Sequence, residues 1–525
     1  MTDAGGRTDL GNDDVSLTEL DVLDPGSAEA AAVKEPRRPF RSAERIGGLA
    51  VSLGVMLWMM WPAFKAKLGI IDDHEIVDMI GRHSHLSPWR IPYEIATRTN
   101  EANGRFRPFY WVIRVIESSV AGHNGTLWYV DRFLFAAVAV AAIYLTAVRF
   151  MAPIAAVAVS LIAFGGPQWE AFIRLGPNEA YAFPIAVAGI AVIVGQLASA
   201  RPPARLWPGF LLLALAAYTK ENFFVLLLFA VPIVALVHGV RRLTRNDYLV
   251  LGATTVVALV DVAFILLVVH EYGAVYPQSR TWGTFRAWTT YALAQSNLYE
   301  YCTVGIVAAL ALLAVWSTTR RRLLVSGSLI AIMALIAVPQ LGFYAGNPQV
   351  GRYLYPLVLV PTMAWAVALW RAGDQRVRIA RLLTTSVLLL ALAWPLHHAL
   401  YLSHVGAEQA AANTQTFQTN LKNLINVAIS QHDDAVVLQP VDSLIDGERT
   451  LSLGRYIGNT TSLKVMMLPP STVTPGQNAQ IAAQMAGWSK HGFGAISPYS
   501  RTARCLSVVY GAVKPLCANA ITPPG

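Results

Sequence analysis

Two short stretches after the first apolar run combine residue types that could do chemistry. The first, residues 70–75, carries the acidic residues Asp72, Asp73 and Glu75. The second, residues 104–111, reads Gly-Arg-Phe-Arg-Pro-Phe-Tyr-Trp and concentrates arginine and aromatic side chains. Carboxylates can remove a proton or bind a divalent cation, and guanidinium groups bind phosphate. We therefore interpret the two stretches as the mouth of a candidate active site.

Asp72 and Asp73 have one structural and two chemical interpretations. Asp72, followed by Glu75 three positions later, fits a capping box at the start of a short helix. A carboxylate beside a bilayer can also act as a general base, its pKa tuned by burial and by nearby arginines. Two adjacent carboxylates could instead hold Mg²⁺, Mn²⁺ or Ca²⁺, because these hard cations prefer oxygen ligands. Capping and catalysis do not exclude each other, and the sequence leaves open which aspartate would be the base.

Arg105 and Arg107 also have two interpretations. They could lie at the membrane surface, with their side chains reaching the headgroups and with Phe106 and Phe109 in the interfacial aromatic belt. They could instead form a phosphate site, since a guanidinium group binds two phosphate oxygens at once. Two arginines so close together slightly favour the phosphate site.

Composition places both stretches in a membrane protein. Of 525 residues, 54% are apolar and 14% are charged, and the mean hydropathy is +0.44. The net charge of +9 comes from Lys and Arg between apolar runs, so membrane topology explains it better than nucleic-acid binding. About eleven runs could cross the roughly 30 Å of hydrocarbon in a bilayer. These runs lie near 46–64, 127–148, 152–165, 180–199, 206–218, 222–239, 248–270, 302–317, 323–344, 354–370 and 379–400.

The basic residues between the runs predict the orientation. If the N-terminus is cytoplasmic, the arginines of every cytoplasmic loop obey the positive-inside rule. These are Arg149, Arg201, Arg205, Arg241, Arg242, Arg245, Arg320, Arg321, Arg322, Arg371, Arg376, Arg378 and Arg381. The sequence therefore predicts a multi-pass protein of the cytoplasmic membrane, with the candidate site and the C-terminal segment on the outer side.

Further charged residues fall on the outer side, where the positive-inside rule does not explain them. Each could be an ion pair, a helical hairpin or an interfacial anchor, yet charge at membrane depth is a functional hypothesis by default. They are Arg174 and Glu179 in Arg-Leu-Gly-Pro-Asn-Glu, Lys220 and Glu221 in Thr-Lys-Glu, and Arg352 in Gly-Arg-Tyr-Leu-Tyr-Pro. If the spans form one bundle, these groups meet Asp72 on one face.

Composition also divides the chain into three parts. Residues 1–44 are polar and predict a disordered cytoplasmic tail. Residues 45–401 predict the membrane bundle, with a large first outer loop at 65–126. Residues 402–525 are more polar, with helical spacing at 406–430 and a short buried strand at 434–438, and they predict a small α/β extracytoplasmic domain. Cys505 and Cys517 could pair if that domain lies in an oxidising compartment.

The Asp-Asp pair in the first large outer loop, directly after the first span, resembles the GT-C glycosyltransferases. The Arg-Leu-Gly-x-x-Glu loop, the Lys-Glu hairpin and the Gly-Arg-Tyr-x-Tyr-Pro motif are similar to elements of that class. It includes protein O-mannosyltransferases, aminoarabinose transferases and arabinosyltransferases. The resemblance implies an all-α polytopic membrane bundle of about eleven transmembrane helices, followed by the α/β C-terminal domain.

The resemblance also implies an activity: inverting transfer of a sugar from a polyprenyl-phosphate donor to an acceptor hydroxyl on a glycan, lipid or protein. Asp72 or Asp73 is then the base, with Asp72 favoured by the class, and no cofactor is required, although a divalent cation (Mg, Mn or Ca) could bind the pair. Candidate phosphate ligands are Arg105, Arg107, Arg174, Lys220 and Arg352, and candidate substrate-binding residues are Glu75, Glu179, Glu221 and Tyr353.

Two other functions compete with this one. A secondary transporter or a flippase of lipid-linked sugars would also have many spans and charges at membrane depth. It would be expected to show internal symmetry, for which the sequence gives no sign. A membrane scaffold that presents the C-terminal domain would leave the outer charges unexplained. The sequence does not specify the sugar or the acceptor.

Overall fold

The fold comes from a computed structural model of the whole chain. It describes residues 42–70, 73–81, 107–197, 205–227, 244–264, 298–343, 351–375, 377–439, 444–467, 496–498, 506–510 and 514–517, with positions 230, 234, 283 and 286. The first helix already begins at Ser42, inside the predicted tail of residues 1–44. The rest of that tail lies outside the described residues and stays a prediction, as does any pairing of Cys505 with Cys517.

Helices make up most of the described chain. In chain order they are α1 (Ser42–Met60), α2 (His74–Ile80), α3 (Pro108–Ala121), α4 (Gly125–Ala147), α5 (Pro153–Ile162), α6 (Glu170–Ile173), α7 (Glu179–Leu197), α8 (Trp207–Ala217), α9 (Arg245–Phe264), α10 (Leu298–Trp316), α11 (Arg320–Phe343), α12 (Leu359–Gly373), α13 (Arg378–Ser430) and α14 (Leu444–Thr460). Short 3₁₀ turns lie at Trp61–Lys65, Pro167–Trp169, Glu221–Phe223 and Gly351–Leu354.

Local sequence explains where several of these helices begin. Pro108 and Pro153 occupy the first positions of α3 and α5, where the missing N–H of proline costs no hydrogen bond. Asn124 caps α4, because its side-chain oxygen accepts from the backbone N–H groups of Thr126 and Leu127. The starts of α3 and α4 lie in or beside the predicted first outer loop that carries the candidate site, whereas α5 begins on the predicted cytoplasmic side.

Helix α4 shows how the bundle meets the bilayer. Its Ala136, Val140 and Tyr144 are fully buried against neighbouring helices. Leu134 and Val138 lie on the opposite side of the helix and are 55% and 50% exposed. A stripe of large apolar side chains facing water would be unfavourable, whereas in a bilayer it contacts lipid tails of the same polarity.

Four helical stretches in the described chain are long and apolar enough to cross a membrane: Ser42–Lys65, α4, α7 and α13. A fifth would be α5 together with Pro167–Ile173, which are bent by 71° with respect to each other. Shorter apolar helices lie at Trp207–Ala217, Val304–Trp316 and Arg322–Val338. The chain is thus a multi-pass membrane protein, and the count of eleven spans stays a prediction.

Helices α7 and α8 cross at two glycines. A Cβ atom at Gly209 would lie 2.8 Å from the carbonyl oxygen of Gly189 and 2.5 Å from Cγ1 of Ile193. A Cβ atom at Gly189 would lie 2.8 Å from the carbonyl oxygen of Gly209. Glycine therefore lets the two backbones touch, as small residues do in membrane helix pairs.

We predict that Gly209→Val lowers the free energy of unfolding by about 1–3 kcal/mol, because the new methyl groups force α7 and α8 apart. Gly54→Val is the matched control: it makes the same change in α1, where an added Cβ meets nothing within 4 Å. Thermal unfolding in detergent compares the two variants. Equal unfolding temperatures would contradict the close crossing of α7 and α8.

The last predicted span, at 379–400, is only the first part of α13. This helix has 53 residues, and at 1.5 Å per residue it is about 80 Å long, far more than the bilayer core requires. The helix predicted at 406–430 is its continuation. The predicted domain boundary between residues 401 and 402 therefore falls inside one continuous helix, which links the bundle to the C-terminal segment.

The C-terminal segment contains a five-stranded sheet. Its strands are β1 (Ala435–Gln439), β2 (Lys464–Met467), β3 (Ile496–Pro498), β4 (Leu506–Tyr510) and β5 (Lys514–Cys517), in the order β3-β2-β1-β4-β5. Strand β1 runs parallel to β2 and β4, β2 runs parallel to β3, and β4 and β5 are antiparallel. The strand predicted at 434–438 is confirmed as β1, the buried centre of the sheet.

One apolar cluster joins this sheet to the rest of the protein. We call it the C-terminal core, and it contains side chains from the sheet, from α13, from α14 and from α2. Its buried members are Val77, Leu421, Leu424, Ala428, Val436, Leu438, Leu453, Tyr456, Ile457, Leu463 and Val465. Since Val77 belongs to α2, the first outer loop packs into the core of the C-terminal segment.

Candidate functional site

Asp73 lies at the start of α2 with its side chain almost fully buried. Its carboxylate Oδ2 accepts the backbone N–H of Gly69 at 2.6 Å. Within the described residues its side chain caps no N–H group of α2, and the N–H groups of Ile76 and Val77 bond to the Asp73 carbonyl oxygen. The other predicted acid, Asp72, lies outside the described residues.

The predicted capping box of Asp72 and Glu75 stays a prediction, because Asp72 lies outside the described residues, but Glu75 has a further partner. In a capping box the glutamate side chain reaches back to the start of its own helix. Here Oε2 of Glu75 accepts a hydrogen bond of 3.0 Å from the hydroxyl of Tyr110 in α3. Glu75 therefore connects α2 to α3.

Tyr110 joins three outer segments. Its hydroxyl lies within hydrogen-bond distance of Glu75 and, at 3.3 Å, of the carbonyl oxygen of Gly176. It also accepts a hydrogen bond of 2.9 Å from Nε of Arg114. Burial raises the pKa of the Tyr110 phenol well above its usual value, so the group stays a neutral donor at any working pH. This contact holds α2 against the loop that contains Arg174 and Glu179.

Four of the predicted charged residues meet in one buried group, which we call the four-charge cluster: Arg107, Glu179, Lys220 and Glu221. Nζ of Lys220 lies 3.5 Å from Oε1 of Glu179 and 3.7 Å from Oε1 of Glu221. Nε of Arg107 lies 3.9 Å from Oε2 of Glu221. Glu179 is 1% exposed, and Arg107 and Lys220 are 5% and 6% exposed. Two cations and two carboxylates therefore share a nearly dry site.

The ends of the secondary-structure elements explain why these four residues meet. Arg107 immediately precedes α3, and Glu179 is the first residue of α7, where the helix dipole favours a carboxylate. Lys220 lies between α8 and the next 3₁₀ turn, and Glu221 is the first residue of that turn. All four positions are helix ends on the predicted outer side.

Contacts with backbone carbonyl oxygens also connect the segments that carry the four-charge cluster. The N–H of Phe109 donates to the carbonyl oxygen of Tyr218 at 3.2 Å. Nδ2 of Asn178 approaches the carbonyl oxygen of Thr219 at 3.5 Å. Nδ2 of Asn222 donates to the carbonyl oxygen of Tyr355 at 2.6 Å. The structure thus brings together three sequence motifs: the Arg-Leu-Gly-Pro-Asn-Glu loop, the Lys-Glu hairpin and the Gly-Arg-Tyr-x-Tyr-Pro motif.

Glu170 contacts Arg174 and lies beside Gly351, the residue that precedes Arg352. Nη1 of Arg174 is 2.5 Å from Oε1 of Glu170, and both side chains are about one-third exposed. Gly351, next to Arg352, has φ +78°, and a Cβ atom there would lie 2.6 Å from Oε2 of Glu170. The positive φ favours glycine at this turn, since other residues adopt that backbone conformation only with strain. The side chain of Tyr353, in the same turn, and the residue Arg105 lie outside the described part of the chain.

Sequence reasoning missed a second buried network, formed by Arg114, Glu117, Arg132 and Tyr181. Both arginines are fully buried, and both donate to the carbonyl oxygen of Leu175. Glu117 lies 3.5 Å from Arg114 and 3.9 Å from Arg132, and it accepts the hydroxyl of Tyr181. An available signal was Arg132 inside an apolar span, since such charges need a partner.

The possible metal site at Asp72 and Asp73 has one member in the described chain. Among the described residues, no group of three or more His, Cys, Asp and Glu side chains is placed to hold a metal ion. Asp73 already accepts the Gly69 N–H with one carboxylate oxygen. Metal binding at this pair stays a prediction.

Comparison with known proteins bears on the fold. No family model and no curated protein sequence matches this chain. Among solved structures it is similar to ArnT from Cupriavidus metallidurans bound to undecaprenyl phosphate, with TM-score 0.51 and 12% identity over 86% of this chain and 89% of that chain. It is also similar to the oligosaccharyltransferase of Archaeoglobus fulgidus tethered with an acceptor peptide, with TM-score 0.50 and 13% identity over 83% of this chain and 65% of that chain.

Both of those proteins are GT-C glycosyltransferases. At 12% and 13% identity the similarity shows the fold alone. The predicted resemblance to the GT-C class is therefore confirmed as a mostly helical membrane fold of that type. The roles of individual residues are not carried by these comparisons.

Proposed function

We propose that this protein transfers a sugar from a polyprenyl-phosphate donor to an acceptor hydroxyl at the outer face of the cytoplasmic membrane, with inversion at the anomeric carbon. The observation that supports the proposal most is the four-charge cluster. It lies where the outer segments of a GT-C-type bundle meet, and it is nearly closed to water. Charges buried at membrane depth are expensive and are usually retained for function.

In the proposed reaction a carboxylate of the first outer loop removes the proton of the acceptor hydroxyl. The oxygen then forms a bond to the anomeric carbon, on the face opposite the phosphate. The bond between that carbon and the phosphate oxygen breaks, and the polyprenyl phosphate leaves with the electron pair. We assign the base to Asp72, because Asp73 is buried and its carboxylate holds the Gly69 N–H, a role that fits positioning of the loop.

The leaving phosphate carries negative charge that needs nearby cations. Glu179 and Glu221 hold Lys220 and Arg107 at 3.5–3.9 Å, which is longer than the 2.7–2.9 Å typical of charge-assisted hydrogen bonds. Burial strengthens the attraction of both cations for an anion. The four formal charges sum to zero, however, so a phosphate dianion requires further cations.

The remaining predicted phosphate ligands supply these charges. Arg174 is paired with Glu170, and Arg352 follows Gly351, which lies beside the same glutamate. Arg105 is two positions before Arg107 in the sequence. The predicted substrate-binding residues Glu179 and Glu221 then act by holding the cations, and Glu75 acts by holding α2 against α3.

A membrane-embedded protein suits such a donor. A polyprenyl chain resists leaving the bilayer by about 0.8 kcal/mol per buried CH₂ group, so the site must lie at the lipid. The exposed apolar stripe on α4 supports a position of the bundle within that lipid. The acceptor is a glycan, lipid or protein hydroxyl on the outer side, and the chemistry needs no cofactor.

The phosphate role of Lys220 can be tested with Lys220→Met. We expect the Kd for undecaprenyl phosphate to rise by about tenfold to a hundredfold, because a hydrogen bond to a charged group contributes about 1.5–3 kcal/mol. Binding is measured with the full-length protein in nanodiscs. The unfolding temperature is followed in parallel, since the change also leaves Glu179 buried without its cation.

The double variant Lys220→Met with Glu179→Gln is the control for that side effect. It restores the charge balance of the cluster but not the ammonium group. If the double variant still binds undecaprenyl phosphate weakly, Lys220 contacts the phosphate. If it binds like the wild type, Lys220 only neutralises Glu179 and is not a phosphate ligand.

A further inference from the structure

The C-terminal helix α14 contacts α2 through a buried ion pair. Nη1 of Arg455 lies 3.1 Å from Oδ2 of Asp78, and Nδ2 of Asn459 donates to Oδ1 of Asp78 at 2.8 Å. Asp78 is 3% exposed and Arg455 is 5% exposed. Both oxygens of a carboxylate in the first outer loop are thus held by the C-terminal segment.

The same helix reaches the backbone on the other side of the acidic pair. The hydroxyl of Tyr456 donates to the carbonyl oxygen of Gly69 at 2.5 Å, and the N–H of Gly69 donates to Asp73. Burial raises the pKa of the Tyr456 phenol well above its usual value, so this hydroxyl remains a donor. One residue of α14 is therefore a single hydrogen bond away from the residue that binds Asp73.

Helix α13 holds the preceding backbone in the same way. Nε2 of Gln418 donates to the carbonyl oxygen of Leu68 at 2.7 Å, and Nε2 of Gln415 donates to that of Lys65 at 2.9 Å. A Cβ atom at Gly69 would lie 3.1 Å from Cγ2 of Thr414 and 3.3 Å from Oδ2 of Asp73. The chain leading to the acidic pair runs close against α13.

We infer that the C-terminal segment positions the candidate base, with Tyr456 and Arg455 as its positioning residues. In the sequence Asp72 stands between two anchored points, Gly69 before it and α2 after it, so a shift of either anchor is expected to displace the acidic pair. The inference rests on the proposed function. A displacement of about 1 Å at a reacting group can cost about a hundredfold in rate, so these distant contacts act on turnover.

The chemistry of the contact between α2 and α14 indicates that it fixes the position of α2 and does not merely hold the two helices together. An apolar contact such as Val77 in the C-terminal core tolerates small shifts of α2. A buried ion pair with an added amide donor has one good geometry. Any departure from that geometry leaves a buried charge without its partner, which is unfavourable. The Asp78–Arg455–Asn459 contact thus fixes the register of α2 along α14.

The first test compares Tyr456→Phe with Tyr144→Phe in the full-length protein in nanodiscs. Both tyrosines are buried, and both hydroxyls donate to a backbone carbonyl oxygen, that of Gly69 or that of Arg45 at the far end of the bundle. We measure kcat per site able to bind undecaprenyl phosphate, KM for the donor, and amide hydrogen exchange over residues 65–81.

For Tyr456→Phe we expect kcat to fall by about tenfold or more, KM to change by less than about twofold, and residues 65–81 to exchange faster. Tyr144→Phe should change none of these. Counting only binding-competent sites separates misplacement of the base from partial unfolding, which lowers the number of sites and leaves the rate of each site unchanged.

A second pair tests the ion pair itself. Arg455→Lys keeps the charge but not the planar fork, whereas Arg455→Met removes both. We expect the fall in kcat per site and the loss of protection over residues 65–81 to be larger for Met than for Lys. Equal effects would show that Asp78 is not held by the charge of Arg455 and would overturn this part of the inference.

The remaining outcomes are separable. Unchanged hydrogen exchange over residues 65–81 in Tyr456→Phe would overturn the inference, and so would faster exchange with unchanged kcat. A wild-type protein that transfers no sugar from any donor would overturn the proposed function and the catalytic role of α14 with it. In that case the exchange data would still show whether α14 anchors the loop.

Discussion

Asp72→Asn is expected to lower kcat for sugar transfer by about 10²–10⁴-fold, the usual contribution of a general base. The amide cannot take the acceptor proton, yet it is nearly the same size, so donor binding should stay within about twofold of the wild type. Transfer is measured in membranes with a panel of labelled polyprenyl-phosphate sugars, with donor binding followed in parallel.

Asp73→Asn is the matched control, because it makes the same change one residue later. The amide oxygen of Asn can still accept the Gly69 N–H, so the loop should stay in place. We expect kcat to fall by less than about tenfold, since only a positioning contact is altered. Asn at either position removes one charge, so a difference between the variants reports on the role of each carboxylate.

Each outcome of this comparison has a distinct meaning. If the large loss occurs at Asp73 and not at Asp72, the enzyme activity stands and the base is Asp73. If both variants keep full activity in a biological readout, the acidic pair does no chemistry, and transport of a lipid-linked sugar becomes the better hypothesis. Loss of donor binding in either variant would instead place the acids in the binding site.

The four-charge cluster shows how much of the site the sequence could predict. Lys220 and Glu179 are far apart in the chain, but both follow spans that end on the predicted outer side. The positive-inside rule identified them as charges without a topological explanation. Because loops on one side of a bundle can meet, residue type and side were sufficient to predict their proximity, though not their pairing.

Glu75 and Arg132 show what the sequence could not predict. Glu75 pairs with Tyr110, which is 35 positions away, and Arg132 donates to Leu175, which is 43 positions away. Which side of a helix faces a neighbour depends on how the helix is rotated in the bundle. The local pattern around Glu75 therefore indicated only a cap, and its hydrogen bond to a distant hydroxyl could not be predicted from that pattern.

The partners are even farther apart in the sequence for the contacts that the C-terminal segment makes with the first outer loop. Tyr456 and Gly69 are 387 positions apart, and Asn459 and Asp78 are 381 positions apart. Nothing in the spacing of α14 marks these residues, because tyrosine, arginine and asparagine are all common at helix positions that face water. Only the packing of α2 into the C-terminal core gives them a role.

The sequence pattern predicted two helices where the structure has the single helix α13, and the reason is physical. Hydropathy falls near residue 402, where the helix leaves the predicted bilayer, and the fall was interpreted as a domain boundary. A helix ends at breakers and caps, however, and not where polarity changes. The segment after Pro395 has no further proline before Ser430, so the helix continues.

Glu117→Gln is expected to be the most destabilising of the conservative changes in the described chain. Arg114 and Arg132 are fully buried and lie 3.5 Å and 3.9 Å from the Glu117 carboxylate. Removing the partner of a buried charge costs about 3–5 kcal/mol in the free energy of unfolding. Thermal unfolding in detergent and the yield of folded protein measure this effect.

Glu170→Gln is the matched control, because it removes the carboxylate of an ion pair that is about one-third exposed. Such a pair contributes about 0.2–1 kcal/mol, so the two glutamines should differ clearly in unfolding temperature. The double variant Glu117→Gln with Arg132→Met should lose less stability than the two single changes summed, because it also removes one of the orphaned cations.

If Glu117→Gln unfolds no earlier than Glu170→Gln, the Glu117 carboxylate is not what stabilises the two buried arginines, and this prediction is wrong. Otherwise the network matters beyond stability. Arg114 and Arg132 hold the carbonyl oxygen of Leu175, in the loop that leads into Glu179. A loosened loop would release Glu179 and hence Lys220, so surviving Glu117→Gln protein should also bind undecaprenyl phosphate more weakly than the wild type.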